Sequence, residues 1–117
     1  MYRNTYLEIN VDSLYHNLDL FRNKTNKKMI AVVKANAYGT VDYEIASLLE
    51  ERGVDFFAVS SLEEALRLRK HNIKSNILIM GYVRDLALVK ENDLSIITPN
   101  AEFVEQYKDE LNGLLFY

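Results

Sequence analysis

The chain has 117 residues, a formal net charge of −3, 49% hydrophobic and 26% charged residues, and no cysteine. That balance fits one small globular domain. The charge argues against a general nucleic-acid surface, the missing cysteines exclude disulfides and thiolate metal sites, and no apolar run reaches the roughly 18 residues of a membrane span. Met1 to Thr5 lacks the apolar region of a signal peptide, so a cytoplasmic location is expected.

Tyr6-Leu7-Glu8-Ile9-Asn10-Val11 alternates apolar and polar residues, the pattern of a half-buried strand. Asp12 is a good N-cap for a helix whose Val11, Leu14, Leu18 and Phe21 share one face. After a polar loop, Met29-Ile30-Ala31-Val32-Val33 is a continuous apolar run that predicts a strand over 29–35, buried on both faces. It leads into Lys34 and the turn Ala35-Asn36-Ala37-Tyr38-Gly39.

Ile45, Leu48 and Leu49 mark a second helix with Gly53 at its end. Val54 to Val59 reads as a strand, and Ser61 and Glu64 form a capping box for the helix carrying Leu62, Ala65, Leu66 and Arg69. Asn72 is a helix stop, and Asn76 to Gly81 is a further buried strand. Asp85 caps a short helix ending near Asn92, and Leu94 to Thr98 is a fourth short strand. Asn100 caps a helix with Phe103, Val104, Tyr107 and Leu111 on one face, and Gly113 to Tyr117 begins another apolar run.

Alternating strands and helices imply a parallel sheet. Two architectures fit: an open doubly wound sheet, or part of a (β/α)8 barrel, which typically needs roughly 250 residues. The closing apolar run, a strand with no helix after it, favours the barrel part. In either case ligands sit at the carboxyl ends of the strands. Those ends carry Lys34, Ser60 and Ser61, Met80-Gly81-Tyr82, and Thr98-Pro99-Asn100. The set lacks a carboxylate pair, a serine triad, a P-loop and a dinucleotide fingerprint. A lysine in an apolar setting can serve as an amine nucleophile toward a carbonyl group; the alternative is a side chain that snorkels to solvent. Glu63 and Glu64 read as charges favoured by a helix N-terminus, and His71 as one favoured near a C-terminus. His16 has no metal-ligand partner one turn on.

The stretch Ala31-Val32-Val33-Lys34-Ala35-Asn36-Ala37-Tyr38-Gly39 resembles the pyridoxal-phosphate motif of alanine racemases. Leu7 to Leu14 with His16-Asn17-Leu18 is similar to that family's opening strand and helix, Phe57 to Ala65 to its second strand and helix, and Asn76 to Gly81 to its third strand. The resemblance implies an α/β fold that is a partial (β/α)8 TIM-type barrel, about its first half. It makes residues 1–117 the N-terminal portion of the barrel domain, without the later barrel strands or the β-domain. The implied activity is pyridoxal 5'-phosphate-dependent interconversion of L- and D-alanine, which supplies D-alanine for peptidoglycan. This portion alone would be inactive. A serine racemase of the same family and a non-catalytic cofactor-binding barrel are the alternatives.

By resemblance Lys34 is the Schiff-base lysine and one of two catalytic bases. Tyr38 bonds the cofactor phosphate, and Met80 lines the cofactor pocket. The second base is a tyrosine from the partner subunit of a homodimer. The family's Tyr-Gly-His-Gly is Tyr38-Gly39-Thr40-Val41 here. Val41 is expected to refuse the positive φ that glycine permits, and so to alter the turn. An incomplete barrel would leave unpaired strand edges that favour self-association. Neither a nucleic acid nor a membrane is an expected partner.

Overall fold

The computed structural model describes residues 3–117. Strands β1 (Ala31–Val32), β2 (Phe56–Val59), β3 (Asn76–Ile79) and β4 (Ser95–Ile96) form one parallel sheet in the order β1-β2-β3-β4. The helices are α1 (Val11–Lys24), α2 (Lys34–Gly39), α3 (Asp42–Glu51), α4 (Leu62–Lys70), α5 (Leu86–Glu91), α6 (Ala101–Gln106) and α7 (Lys108–Leu111). Phe116 makes a further parallel bridge to Ile96, which starts a fifth position beside β4.

This order decides between the two architectures. Right-handed crossovers between strands laid down in sequence put every connecting helix on one face. A doubly wound sheet instead reverses its strand order at a switch point. No reversal occurs from β1 to β4, so the fold is the winding of a (β/α)8 barrel. Burial agrees. Phe57, Val59, Ile77, Ile79 and Ile96 join one core with Ile45, Ala46, Leu49, Ala65, Leu68 and Val89 of the helices. Ala58 and Leu78, register partners of one another, are buried outside that core, on the opposite sheet face.

Three helices return to the sheet through the same loop. Gly53 (φ 82°), Asn72 (φ 65°) and Asp93 (φ 51°) each follow a C-cap in the left-handed conformation. Each donates its N–H to the carbonyl three residues back, Glu50, Arg69 and Lys90 respectively. The next residue, Val54, Ile73 or Leu94, donates to Leu49, Leu68 or Val89 and is buried. This is the Schellman arrangement with its hydrophobic contact. Arg69 braces two of these loops, donating to the carbonyls of Ile73, Ser75, Asn92 and Asp93 at 2.7–2.9 Å.

Several expectations are corrected. Residues 6–10 form no strand, and Tyr6 and Leu7 are exposed; alternation makes a strand only where a partner edge is there to pair with. Asn10, not Asp12, caps α1, accepting from the Ser13 N–H at 2.9 Å. Phe21 of the expected apolar face is exposed. The 29–35 strand contracts to Ala31–Val32 and is not buried on both faces: Ile30 and Val32 are 45% and 40% exposed, while Val33 is buried. The expected helix after Asn100 breaks at Tyr107 into α6 and α7.

Candidate functional site

Lys34 stands where β1 ends. Val33 still bonds to β2, its N–H donating to the Ala58 carbonyl at 2.9 Å. Register pairs Val32 with Ala58 and Ala58 with Leu78. Two residues further along, Lys34, Ser60 and Met80 reach the same carboxyl edge of the sheet. Lys34 and Met80 are half-buried. Gly81 follows because β2 and β3 nearly touch here. Its N–H donates to the Ser60 carbonyl at 3.1 Å, and a Cβ at this position would lie 2.2 Å from that oxygen.

The chain does not continue from Lys34 as an ordinary loop. Ala35, Asn36, Ala37 and Tyr38 have φ between 51° and 57°, so α2 is a turn of left-handed helix. Such a turn costs L-residues roughly 1–2 kcal/mol each. It persists because its neighbours fix it. Ala37 is buried and donates to the Val33 carbonyl at 2.9 Å. Asn36 accepts the Asp42 N–H on Oδ1 at 3.1 Å, and its carbonyl accepts the Val41 N–H at 3.0 Å. The Thr40 hydroxyl donates to the Ala37 carbonyl.

Val41 has φ 74°. The expectation that it would refuse a positive φ is therefore overturned. The turn keeps the conformation glycine would adopt, and a β-branched residue carries the strain.

Two acidic groups anchor this turn. Asp42, wholly buried, accepts from Arg67 on α4, with Nε to Oδ2 at 2.9 Å. That hydrogen bond, ahead of an opposing desolvation, raises the Arg67 pKa. Glu64 accepts the Ala35 N–H at 2.9 Å, and the Ser60 N–H and hydroxyl at 2.7 Å each. Partial burial pushes its carboxyl up, but the bonds from Ser60, Ala35 and Ser61 outweigh this and hold it below its ordinary value. The Ser61 half of the capping box forms, accepting the Glu64 N–H at 3.2 Å, while the carboxylate crosses to Ser60 and to Ala35 of α2 instead. The reading of Glu64 as a mere helix-terminus charge is corrected accordingly.

Tyr38, on the same turn, is 67% exposed. His71 stacks on Tyr43 at 3.7 Å, away from the carboxyl edge. His16 is exposed. Among the described residues no group of three His, Asp or Glu side chains is placed to hold a metal ion. Sequence reasoning missed Asn36, Asp42, Arg67 and the true role of Glu64. Only Asn36 left a signal, since asparagine is a residue that tolerates the left-handed region.

The donor set fits an aldehyde cofactor bearing a phosphate. Among the described residues the Lys34 amine makes no ion pair. A phenol donor follows on Tyr38, and Met80 adds an apolar neighbour on the next strand but one.

Fold and edge together define a β/α-barrel segment with one amine, Lys34, at the carboxyl end of its first strand. The family model for the alanine racemase N-terminal domain matches residues 9–113, and the chain belongs to that family. It is similar to the alanine racemase of Macrococcus caseolyticus, 39% identical over 107 residues, covering 89% of this chain and 28% of that protein. The alanine racemase of Bacillus anthracis, solved with bound L-Ala-P, superimposes with a TM-score of 0.85 at 32% identity, covering 99% of this chain and 32% of that one. A histidine racemase from Leuconostoc mesenteroides gives a TM-score of 0.78 at 30% identity, covering 88% and 28%. The chain thus spans less than a third of the length of these relatives. No helix among the described residues is long and apolar enough to cross a membrane.

Proposed function

We propose that residues 1–117 are the N-terminal barrel portion of an alanine racemase, an isomerase that uses pyridoxal 5'-phosphate to interconvert L- and D-alanine for peptidoglycan. The observation that carries this reading is the placement of Lys34 at the carboxyl end of β1, opening a fixed left-handed turn that presents Tyr38. When bound, the cofactor acts as an electron sink that acidifies the α-carbon of an amino acid. Lys34 holds the cofactor and moves the proton at the α-carbon on its own side. Tyr38 donates its phenolic hydrogen to a phosphate oxygen. Met80 supplies an apolar wall.

Inversion needs a second base on the opposite face. By family resemblance this is a tyrosine of the partner subunit in a cytoplasmic homodimer, so the portion alone is expected not to racemise alanine. A second reading, a racemase of the same family acting on another amino acid such as serine, draws support from the likeness to a histidine racemase.

The test is a pyridoxal phosphate titration of the chain, followed by absorbance. Binding with a shifted cofactor band is expected for the wild type. Weaker binding is expected for Tyr38→Phe, and loss of the shifted band for Lys34→Ala. A band unchanged in Lys34→Ala overturns the assignment.

A further inference from the structure

Glu64 has no role in the site as the family motif defines it, yet its carboxylate links the backbone just after Lys34 to the end of β2. Its carboxylate accepts three hydrogen bonds from two strand ends: the Ala35 N–H at 2.9 Å on Oε1, and the Ser60 N–H and hydroxyl at 2.7 Å on Oε2. The Ala35 N–H belongs to the peptide that begins at the Lys34 carbonyl. Ala35 is also the first residue with positive φ. One carboxylate therefore fixes the point at which the backbone changes hand, directly after the reactive lysine. Glu64 is in turn fixed by its own N–H, which donates to Ser61 Oγ at 3.2 Å at the start of α4.

The fold contains a matched counterpart at its opposite end. Glu50 accepts the Lys74 N–H at 2.8 Å, and the Ser75 N–H and hydroxyl at 2.6 Å each. Both glutamates are half-buried, and both are held below their ordinary pKa by hydrogen bonds that outweigh burial. Glu50 clamps the loop that enters β3, where no candidate site residue lies. Both carboxylates clamp backbone with one N–H and a Ser N–H and hydroxyl, Glu50 on a single oxygen and Glu64 across both, and the Glu64 clamp is the one that holds the segment following Lys34.

We propose that Glu64 is a positioning residue for Lys34, setting the left-handed turn and thereby the approach of the amine to a carbonyl carbon. This rests on the reading of Lys34 as the cofactor lysine. Glu64 acts through the backbone and does not itself touch the cofactor.

The experiment compares the wild-type chain, Glu64→Gln and Glu50→Gln. Each is incubated with pyridoxal phosphate and reduced with borohydride, and the rate of label appearing at Lys34 is followed by peptide mass. Urea unfolding is measured in parallel. Glu64→Gln is expected to slow labelling at Lys34 by about tenfold or more, within the cost of misplacing a reacting group by up to 1 Å. Glu50→Gln is expected to lose similar stability and label at the wild-type rate. Equal rates for wild type and Glu64→Gln, or equal slowing by both variants, overturn the proposal.

The α-carbon chemical shifts of Ala35 to Tyr38 give a readout without cofactor. Movement in Glu64→Gln alone supports the positioning role, and shifts unchanged in that variant contradict it. If the wild type takes no label at Lys34, the cofactor reading fails, and these shifts still decide the role of Glu64. Should Glu64→Gln not fold, Ser60→Ala removes one donor and keeps the carboxylate. A smaller slowing or shift change is then expected, and none overturns the proposal.

Discussion

Arg67 on α4 and Asp42 on α3 are joined across 25 positions of sequence, Nε donating to both carboxylate oxygens at 3.2 and 2.9 Å. Asp42 is the buried member, and the same residue donates its N–H to Asn36 of the left-handed turn. The pair thus ties two helices to the segment that follows Lys34. In Arg67→Met the carboxylate keeps only the Tyr43 N–H as a hydrogen-bond donor to its side chain. A buried charge left unpaired costs about 3 kcal/mol. The unfolding free energy from urea titration is expected to fall by that much for Arg67→Met, and to recover in part when Asp42→Ala is added.

Val41 at φ 74° gives a second expectation. Alanine normally stabilises relative to glycine, because it restricts the unfolded chain. At a positive φ the Cβ reverses this order. Val41→Gly is expected to be more stable than Val41→Ala by about 1 kcal/mol. Thermal unfolding of the two variants measures the difference directly.

The acid limb of stability is set in part by Glu50 and Glu64, both held below the ordinary glutamate value. In the acid range the unfolded chain binds more protons than the folded one, so stability rises with pH there. The contribution is complete above an unfolded pKa of about 4.3 and is lost as pH falls through the folded values. Glu64→Gln is therefore expected to lower stability near neutrality and to flatten its fall between about pH 4.3 and the folded pKa. Urea midpoints measured across that range check the sign.

Arg69 donates to four carbonyls in the loops around β3 and β4. Burial lowers its pKa, against the pull of Asp93 and Glu50. Arg69→Met strands these acceptors and is expected to cost about 2 kcal/mol or more. Arg69→Lys is expected to restore little of it, since an ammonium cannot reproduce the planar fork.

The alternation of strands and helices was legible in the sequence, and so were the caps at Ser61, Asp85 and Asn100, which accept from Glu64, Leu88 and Phe103. Gly53 was legible as a helix end for the same local reason. The loop repeat was not. Leu49-x-x-x-Gly53-Val54, Leu68-x-x-x-Asn72-Ile73 and Val89-x-x-x-Asp93-Leu94 place three different residues at one left-handed position. Composition hides the equivalence that backbone conformation makes plain. The Tyr6 to Val11 alternation misled because strand pairing depends on a partner edge, which no local pattern contains. Glu64 misled for a related reason. Its spacing from Ser61 suggested a local box, while its carboxylate reaches Ala35, 29 residues away. Lys34 itself was legible as a residue out of place at the end of an apolar run, and the left-handed turn that makes it a fixed feature was not.

Where pyridoxal phosphate attaches decides whether Lys34 is the cofactor lysine. The chain is incubated with the cofactor, reduced with borohydride and mapped by peptide mass. The Lys34 assignment predicts a reduced pyridoxyl adduct concentrated on Lys34 and lost in Lys34→Ala while the other lysines label as before. Equal, low labelling across all lysines, with Lys34 no faster than the rest, would contradict it.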